Sequence, residues 1–405
     1  MNITLLGTGM QGRAALFDLA RSERVRSITA ADRDVDGLRA FVREKRLPKV
    51  SCERVDASDL ADVRRVVRPG TDVLIDLLPV PFIGHAVRAA VEAGAHYVNT
   101  FYVTPDVQAM AQEALRKGIS LLPEFGMDPG IDLILLGHAV RQFDEVEAVY
   151  SYGAGFPEPE AADNAIRYKV TWTFEGVLKS YRRAGRFLRE GRVVEFGAEE
   201  MFHPNFVHTL RIGGLGKLEA FPNGDAMRFA SLLGLARPPL RNMGRFVLRW
   251  PGHCDFWLKM GNLGLLDDEP VVVDGTPVDR KRFLAAAIEP RLQYRPDERD
   301  VVVVRIDVRG RKNGQSKRVL LQVIDRRDME TGFTAMNRTV GFTASIGAQM
   351  LGVGSIAKRG LLSPMTDVPY GLFAEEMRKR GITLQQRTTS DLAKGGIEGK
   401  CHLEV

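Results

Sequence analysis

The sequence predicts an α/β protein, with a doubly wound parallel sheet followed by a second, mixed α+β domain. Three observations carry that prediction. Strand and helix patterns alternate from the N-terminus to about residue 125. A glycine-rich turn links the first strand pattern to the first helix pattern. The alternation stops after Pro129, where strand patterns sit among longer irregular stretches.

Asn2–Leu6 is a short apolar strand, and Met10–Ser22 reads as the helix after it. Arg26–Ala31 and Ser51–Val55 read as the next two strands. Asp72–Leu78 (DVLIDLL) is a nearly continuous apolar run, as a strand buried on both faces requires. His96–Thr100 and Ile119–Pro123 follow, with helices expected over Phe82–Ala93 and Pro105–Lys117. Beyond Pro129, strands are expected at Glu147–Tyr152, Tyr168–Trp172, Arg245–Trp250 and Val301–Val308. The last of these pairs with Arg318–Ile324 across a turn at Asn313-Gly314. Helix returns over Thr334–Leu351 and Pro369–Arg380, and a loose polar tail is expected from Thr388. The domain reading is therefore 1–128, a doubly wound sheet; 129–332, a mixed α+β domain; 333–388, helices returning to the first domain; and 389–405, the tail.

The chain has 405 residues, enough for such an arrangement with a full apolar core. Its 57 Lys+Arg exceed its 51 Asp+Glu by six, but acidic residues interrupt the basic ones and no nucleic-acid module is recognisable. No nucleic-acid partner is expected. Three scattered cysteines give neither a disulfide framework nor a zinc spacing, which fits a reducing, cytoplasmic setting. The histidines show no metal spacing such as HExxH, so no metal is expected. No apolar stretch is long enough to span a membrane, and the N-terminus lacks the layout of a signal peptide.

The turn itself reads NITLLGTGMQGRAA, placing Gly7, Gly9 and Gly12 in G-x-G-x-x-G between strand and helix. Gly7 permits the turn, Gly9 lets a pyrophosphate approach the backbone, and Gly12 lets the helix pack on the sheet. Freed amides around Met10 and Gln11, with the helix dipole, favour the phosphates. Asp32 follows Gly12 by twenty positions, at the end of the second strand. A carboxylate there binds a ribose diol and repels a 2′-phosphate, which points to NAD. Arg33, the next residue, suits a 2′-phosphate, so NADP stays open. These features predict a Rossmann-like domain, with Leu77, Thr100 and Glu124–Asp128 around one crevice beyond the strand ends.

Several blocks resemble a known family. EFGMDPG at 124–130, SYGAGFPEPEAADNAIRYKVTWTFEGVLKSY at 151–181 and VNTFYVTP at 98–105 look like the glutamate-forming saccharopine dehydrogenase (saccharopine reductase) family. FVLRWPGHCDFWLKMGNLGLLDDEP at 246–270 continues the likeness. The final third, with DVVVVRIDVRGRKNG at 300–314, looks more like the lysine 6-dehydrogenase branch. The resemblance covers about residues 1–388. It implies a nicotinamide-dependent oxidoreductase that acts on a carbon–nitrogen bond of an amino-acid-derived amine. It also implies a small-molecule substrate and a homodimer. Saccharopine would give glutamate and 2-aminoadipate 6-semialdehyde; lysine would give the same semialdehyde and ammonia. A non-catalytic NAD-binding sensor is the reading from another class.

The chemistry needs an amine deprotonated, a water activated and carboxylates held. The resemblance places Asp128 against both cofactor and substrate; a plainer role for it is to cap a helix opening at Pro129. It makes Arg249 a substrate arginine, whose fork suits a carboxylate. Tyr102 falls at the junction of cofactor and substrate, with Thr100 and Phe101 on the nicotinamide side. Met127 and Thr173 match cofactor-touching positions. Lys169, in the YKVTW block, is either a base with a lowered pKa or the partner of a carboxylate. One departure stands out. Where the family has an arginine in a P-N-R-D block, this chain has Pro222-Asn223-Gly224-Asp225. Arg228 or Arg211 are the substitutes in view.

Overall fold

The computed structural model describes residues 1–390 and divides into two compact units. The first comprises Met1–His138 and Met336–Leu384; the described part of the second comprises Ala139–Ala335 and the segment from Gln385.

The first unit is built on seven strands lying side by side. Their order is Gly360–Leu361, Ser120–Leu122, His96–Asn99, Val73–Asp76, Asn2–Leu6, Ser27–Asp32 and Val50–Arg54. Every pairing is parallel. Val73–Asp76 is buried along its whole length, as its apolar run requires. Chain order reverses about Asn2–Leu6, so this strand's carboxyl end opens on a crevice. Leu6, Leu74, Val87, Tyr97 and Leu121 share one buried cluster beneath the helices.

The C-terminal helices of this unit close on the helix Met10–Arg21. The helix expected over Thr334–Leu351 is broken: Ala335–Asn337 is followed by a π-helical turn, Arg338–Phe342, and then by Thr343–Gly352. At that turn Gly341 lies so close to the N-terminal helix that a Cβ would sit 2.5 Å from the Gln11 carbonyl oxygen. Pro105–Lys117 is likewise two helices, Pro105–Ala109 and Ala111–Arg116, meeting at Met110.

Among the described residues the second unit carries a mixed sheet of nine strands. Along its main path lie His208–Ile212, Gly216–Pro222, Asn242–Arg249, Glu145–Pro157, Asp300–Lys312, Gln315–Arg326 and Gln385–Ser390. Asn242–Arg249 pairs with Glu145–Pro157 in parallel, and the other neighbours on this path are antiparallel. The hairpin through Asn313-Gly314 forms with its strands longer than expected, Lys312 facing Gln315. Both residues take positive φ, 53° and 74°, as such a two-residue turn demands.

Two expectations fail here. Tyr168–Trp172 forms no strand. Its backbone is held instead by a side chain: Asn164 Nδ2 donates to the Tyr168 carbonyl at 2.6 Å, and Asn164 Oδ1 accepts from its N–H at 3.2 Å. The polar tail expected from Thr388 begins with strand, since Thr388–Ser390 pairs with Val319–Lys317. An edge strand satisfied by main-chain bonds needs no apolar pattern, so its polar sequence gave no sign of it. The rest of the tail, 391–405, lies outside the described residues. Among the described residues no helix is long and apolar enough to cross a membrane.

Candidate functional site

In the first unit the glycine loop separates two kinds of glycine. A Cβ on Gly7 (φ +85°) would lie 2.7 Å from the Leu77 carbonyl oxygen, and one on Gly12 would lie 2.0 Å from that of Gly7. Both positions are fixed by the protein's own packing. A Cβ on Gly9 would meet nothing within 4 Å, at an ordinary φ of −66°. The open cradle above Gly9 fits a pyrophosphate. The helix Met10–Arg21 begins there with no side-chain cap and no acid in its first turn, leaving its positive end to an anion. Met10 is half exposed, and Gln11 Oε1 accepts from the Asn337 amide at 3.2 Å.

Asp32 is bonded to the same loop. Its Oδ2 accepts the Thr8 N–H at 2.6 Å and the Thr8 hydroxyl at 3.0 Å, and its Oδ1 accepts the Asp34 N–H at 3.0 Å. Burial pushes its carboxyl up, but the bonds from Asp34 and Thr8 outweigh burial and hold it below the ordinary aspartate value. Asp32 is thus a brace for the loop as well as an anion at the strand end. Arg33 is exposed beside it.

Three further loops leave carboxyl ends of the same sheet: Leu77–Leu78, Thr100–Tyr102 and Glu124–Asp128. Phe125 N–H donates to the Asn99 carbonyl at 2.9 Å, and Glu124 N–H to that of Phe101 at 2.8 Å. Those bonds bind 124–128 to 99–102. Gly126 N–H closes a turn on the Pro129 carbonyl at 2.9 Å. The helix beyond starts only at Ile131, so Asp128 does not cap a helix that opens at Pro129. Met127 is buried and Asp128 partly exposed. Phe101 and Tyr102 meet edge to face at 5.8 Å. Gly7, Gly9, Met10, Gln11, Gly12, Asp32, Arg33, Leu77, Thr100, Phe101, Tyr102, Met127 and Asp128 therefore gather on one edge of one sheet.

Lys169, Thr173 and Arg249 belong to the second unit. Lys169 is 3% exposed, and its ammonium is shared by Glu298 at 2.5 Å and Asp163 at 2.9 Å. Arg295 closes that network on both acids. Bonds from Lys169 and Arg295 hold the Asp163 carboxyl down to about 2. Of the two roles weighed for Lys169, the structure realises pairing with carboxylates. Thr173 precedes the helix Phe174–Ser180 without capping it through its side chain.

Arg249 is 6% exposed, and its Nε has no hydrogen-bond partner. Nη1 donates to the Leu248 carbonyl at 2.8 Å, and the guanidinium lies over the Tyr168 ring at 5.0 Å. No carboxylate among the described residues forms an ion pair with it. The rings around it are neutral: burial and then Arg249 itself push His253 well below the ordinary histidine value, and burial pushes Tyr168 and Tyr181 up. Glu219 faces Arg249 on the neighbouring strand, but its carboxylate accepts the Gly252 and Cys254 N–H groups. Tyr181 hydroxyl and His253 Nε2 stand 2.8 Å apart. A buried guanidinium without an ion pair is suited to receive an anion.

Residue reading missed Tyr168, Tyr181 and His253 around this arginine, and Asp76 in the first unit. The signal was present for Tyr168, Tyr181 and His253, which lie inside the family-like blocks at 151–181 and 246–270, but not for Asp76. Gly224 takes φ +65°, in the left-handed region that disfavours an arginine, so the departure there is built into the turn. Asp225 beside it pairs with Arg186 at 2.6 Å. Cys254 is buried, its thiol pushed up by burial and by Glu219. Among the described residues no cluster of three His, Cys, Asp or Glu is placed to hold a metal ion.

Comparison with known proteins gives consistent results. The family model described as "Saccharopine dehydrogenase NADP binding domain" matches residues 3–122, and "Saccharopine dehydrogenase C-terminal domain" matches 126–382. Saccharopine dehydrogenase [NADP(+), L-glutamate-forming] of Saccharomyces cerevisiae is 24% identical over 96% of this chain and 99% of its own length. The mitochondrial alpha-aminoadipic semialdehyde synthase of Mus musculus is 26% identical over 79% of this chain, which matches 41% of that protein. The apo structure of saccharopine dehydrogenase (L-Glu forming) from Saccharomyces cerevisiae superposes with a TM-score of 0.84 at 22% identity, covering 96% of this chain and 99% of that one.

Proposed function

Since the chain belongs to the saccharopine dehydrogenase family, we propose that it oxidises saccharopine, with water, to glutamate and 2-aminoadipate 6-semialdehyde. The observation that carries this reading is Arg249, a buried guanidinium that forms no ion pair among the described residues. Saccharopine has three carboxylates to offer it. The open cradle over Gly9 and the uncapped helix behind it support a dinucleotide in the first unit. That group, when bound, supplies the acceptor for a hydride from the carbon beside the amine nitrogen. The chain's own residues do the rest. Arg249 holds a substrate carboxylate through two parallel bonds. Asp128 holds the substrate's cationic nitrogen or orients the water that splits the imine. Tyr102 offers its hydroxyl at the same edge, and Phe101 covers that side. Lys169, already paired with Glu298 and Asp163, orders the segment that carries Tyr168.

The test is an assay with saccharopine and each nicotinamide at about pH 9, where the substrate amine sheds its proton more readily. Reduced nicotinamide and glutamate should appear together. The lysine 6-dehydrogenase reading rests on the left-handed turn at Gly224; it predicts ammonia from lysine alone. Dinucleotide binding with no turnover of either amine would favour the sensor.

For the cofactor, the family description and the relative's name support NADP(+), while the anionic Asp32 supports NAD. We infer that both are accepted, with Arg33 beside the 2′-phosphate and Asp32 lowering the preference for it. Asp32→Asn keeps the shape of the brace and removes the charge. It should raise the NADP(+)-to-NAD ratio of kcat/KM about tenfold, the scale of one charge contact near a protein surface. An unchanged ratio would place Asp32 away from the ribose. The same reading includes a homodimer in the cytoplasm; light scattering of the purified chain checks the first.

A further inference from the structure

Three donors converge on one carboxylate beneath the glycine loop. Asp76 ends the strand Val73–Asp76 and is 0% exposed. Its Oδ1 accepts the Leu78 N–H at 3.0 Å. Its Oδ2 accepts the Tyr97 hydroxyl at 2.7 Å and the Asn99 side-chain amide at 3.3 Å. Asn99 Oδ1 in turn accepts the Phe101 N–H at 2.5 Å. One carboxyl group thereby holds two strand exits. The first is Leu77–Leu78, whose backbone lies against Gly7. The second is Thr100–Tyr102, next to which 124–128 is tied.

Among the described residues no cation compensates this group. Burial raises the Asp76 carboxyl to about 6, against the bonds from Tyr97, Leu78 and Asn99. Of these three, only Tyr97 titrates, and burial and then Asp76 raise it well above the ordinary tyrosine value. A buried acid without a counter-charge costs stability that an amide or apolar residue would spare. Its presence at this point calls for another use.

We propose that Asp76 is a positioning residue that sets the floor of the dinucleotide site in register with the Thr100–Tyr102 loop. The proposal rests on the dinucleotide reading of the first unit. A carboxylate accepts from all three donors, whereas a carboxamide has one acceptor oxygen and turns an NH₂ group toward a donor. In Asp76→Asn one strand exit loses its anchor.

The experiment measures NADPH binding by fluorescence, without substrate, for the wild type, Asp76→Asn and Tyr97→Phe, from about pH 8 down to about pH 5. Asp76→Asn should raise the Kd about tenfold, the equivalent of one lost hydrogen bond, while its Tm does not fall. Tyr97→Phe, which keeps the carboxylate, should raise the Kd about threefold and serves if the amide variant fails to fold. The wild type adds a readout that a merely structural role would not give. Its folded carboxyl sits above the ordinary aspartate value, so the native state takes up the proton first on acidification. Between about 6 and 4 its stability then rises as pH falls, while binding weakens because the protonated group accepts fewer bonds. Asp76→Asn should lack both trends. If the wild type binds NADPH but both variants bind within about twofold with the same pH course, the positioning role is overturned. If the wild type binds neither NADPH nor, in the same titration, NADH, the cofactor reading fails, and this one with it.

Discussion

Replacing Arg249 with methionine should lower kcat/KM for saccharopine by about a thousandfold, leave dinucleotide affinity unchanged and raise the Tm. The three effects share one cause. Removing one partner of a buried, hydrogen-bonded ion pair costs about 3–5 kcal/mol, and each 1.4 kcal/mol is tenfold. In the complex the substrate carboxylate is that second partner, so its loss of Arg249 carries the full cost. In the free protein the situation is reversed. The guanidinium is 6% exposed, its Nε is unsatisfied and its neighbours Tyr168, Tyr181 and His253 bring no negative charge. Methionine fills much of the stem's volume without the buried charge, so the free protein gains. Arg249→Lys should not restore activity, because an ammonium cannot present two parallel donors to a carboxylate. Steady-state kinetics, dinucleotide titration and thermal melts decide this together. A variant that loses both stability and activity would make Arg249 part of the packing around Tyr168 rather than a receptor.

What could be read before the structure, and what could not, follows from the range of the interactions. The parallel sheet was legible because a strand buried on both faces, such as Val73–Asp76, writes its burial into consecutive residues. The glycine loop was legible because its demands fall within six positions. Tyr168–Trp172 misled because its alternation satisfies a strand pattern, while Asn164, four residues away from Tyr168, takes its backbone bonds. The buried partner of Lys169 lay out of reach for another reason. Glu298 is 129 positions away, and no local pattern says which of the chain's acids will arrive. Asp76 was read as part of an apolar run, and only its contacts with Tyr97 and Asn99 set it apart. Local sequence thus gave the sheet and the loop. Charge compensation, on which the reading of Arg249, Lys169 and Asp76 turns, is a property of the folded chain.

The same distinction predicts opposite outcomes for two substitutions three residues apart. Gly9→Ala should keep or slightly raise the Tm and weaken dinucleotide binding about a hundredfold. Gly12→Ala should lower the Tm by several degrees as well. At Gly12 the added methyl carbon would lie 2.0 Å from the Gly7 carbonyl oxygen, an overlap that only backbone movement relieves. Overpacking of that kind costs about 1–3 kcal/mol, and the movement displaces the loop itself. At Gly9 the protein raises no objection: φ is −66°, and nothing lies within 4 Å. Alanine is even the better residue for the unfolded-state entropy, by about 0.4–1 kcal/mol. The free chain therefore gains nothing by having glycine there. What excludes a methyl group must come from outside the chain, and a pyrophosphate seated on the amides of Met10–Gly12 is the group that needs that approach. A hundredfold loss corresponds to about 2.7 kcal/mol, the scale of two charge-assisted bonds weakened when the phosphate is held off. Dinucleotide titration and thermal melts on both variants check the contrast. Equal losses of stability at the two positions, or a Gly9→Ala variant that binds NADPH as the wild type does, would remove the pyrophosphate from this loop.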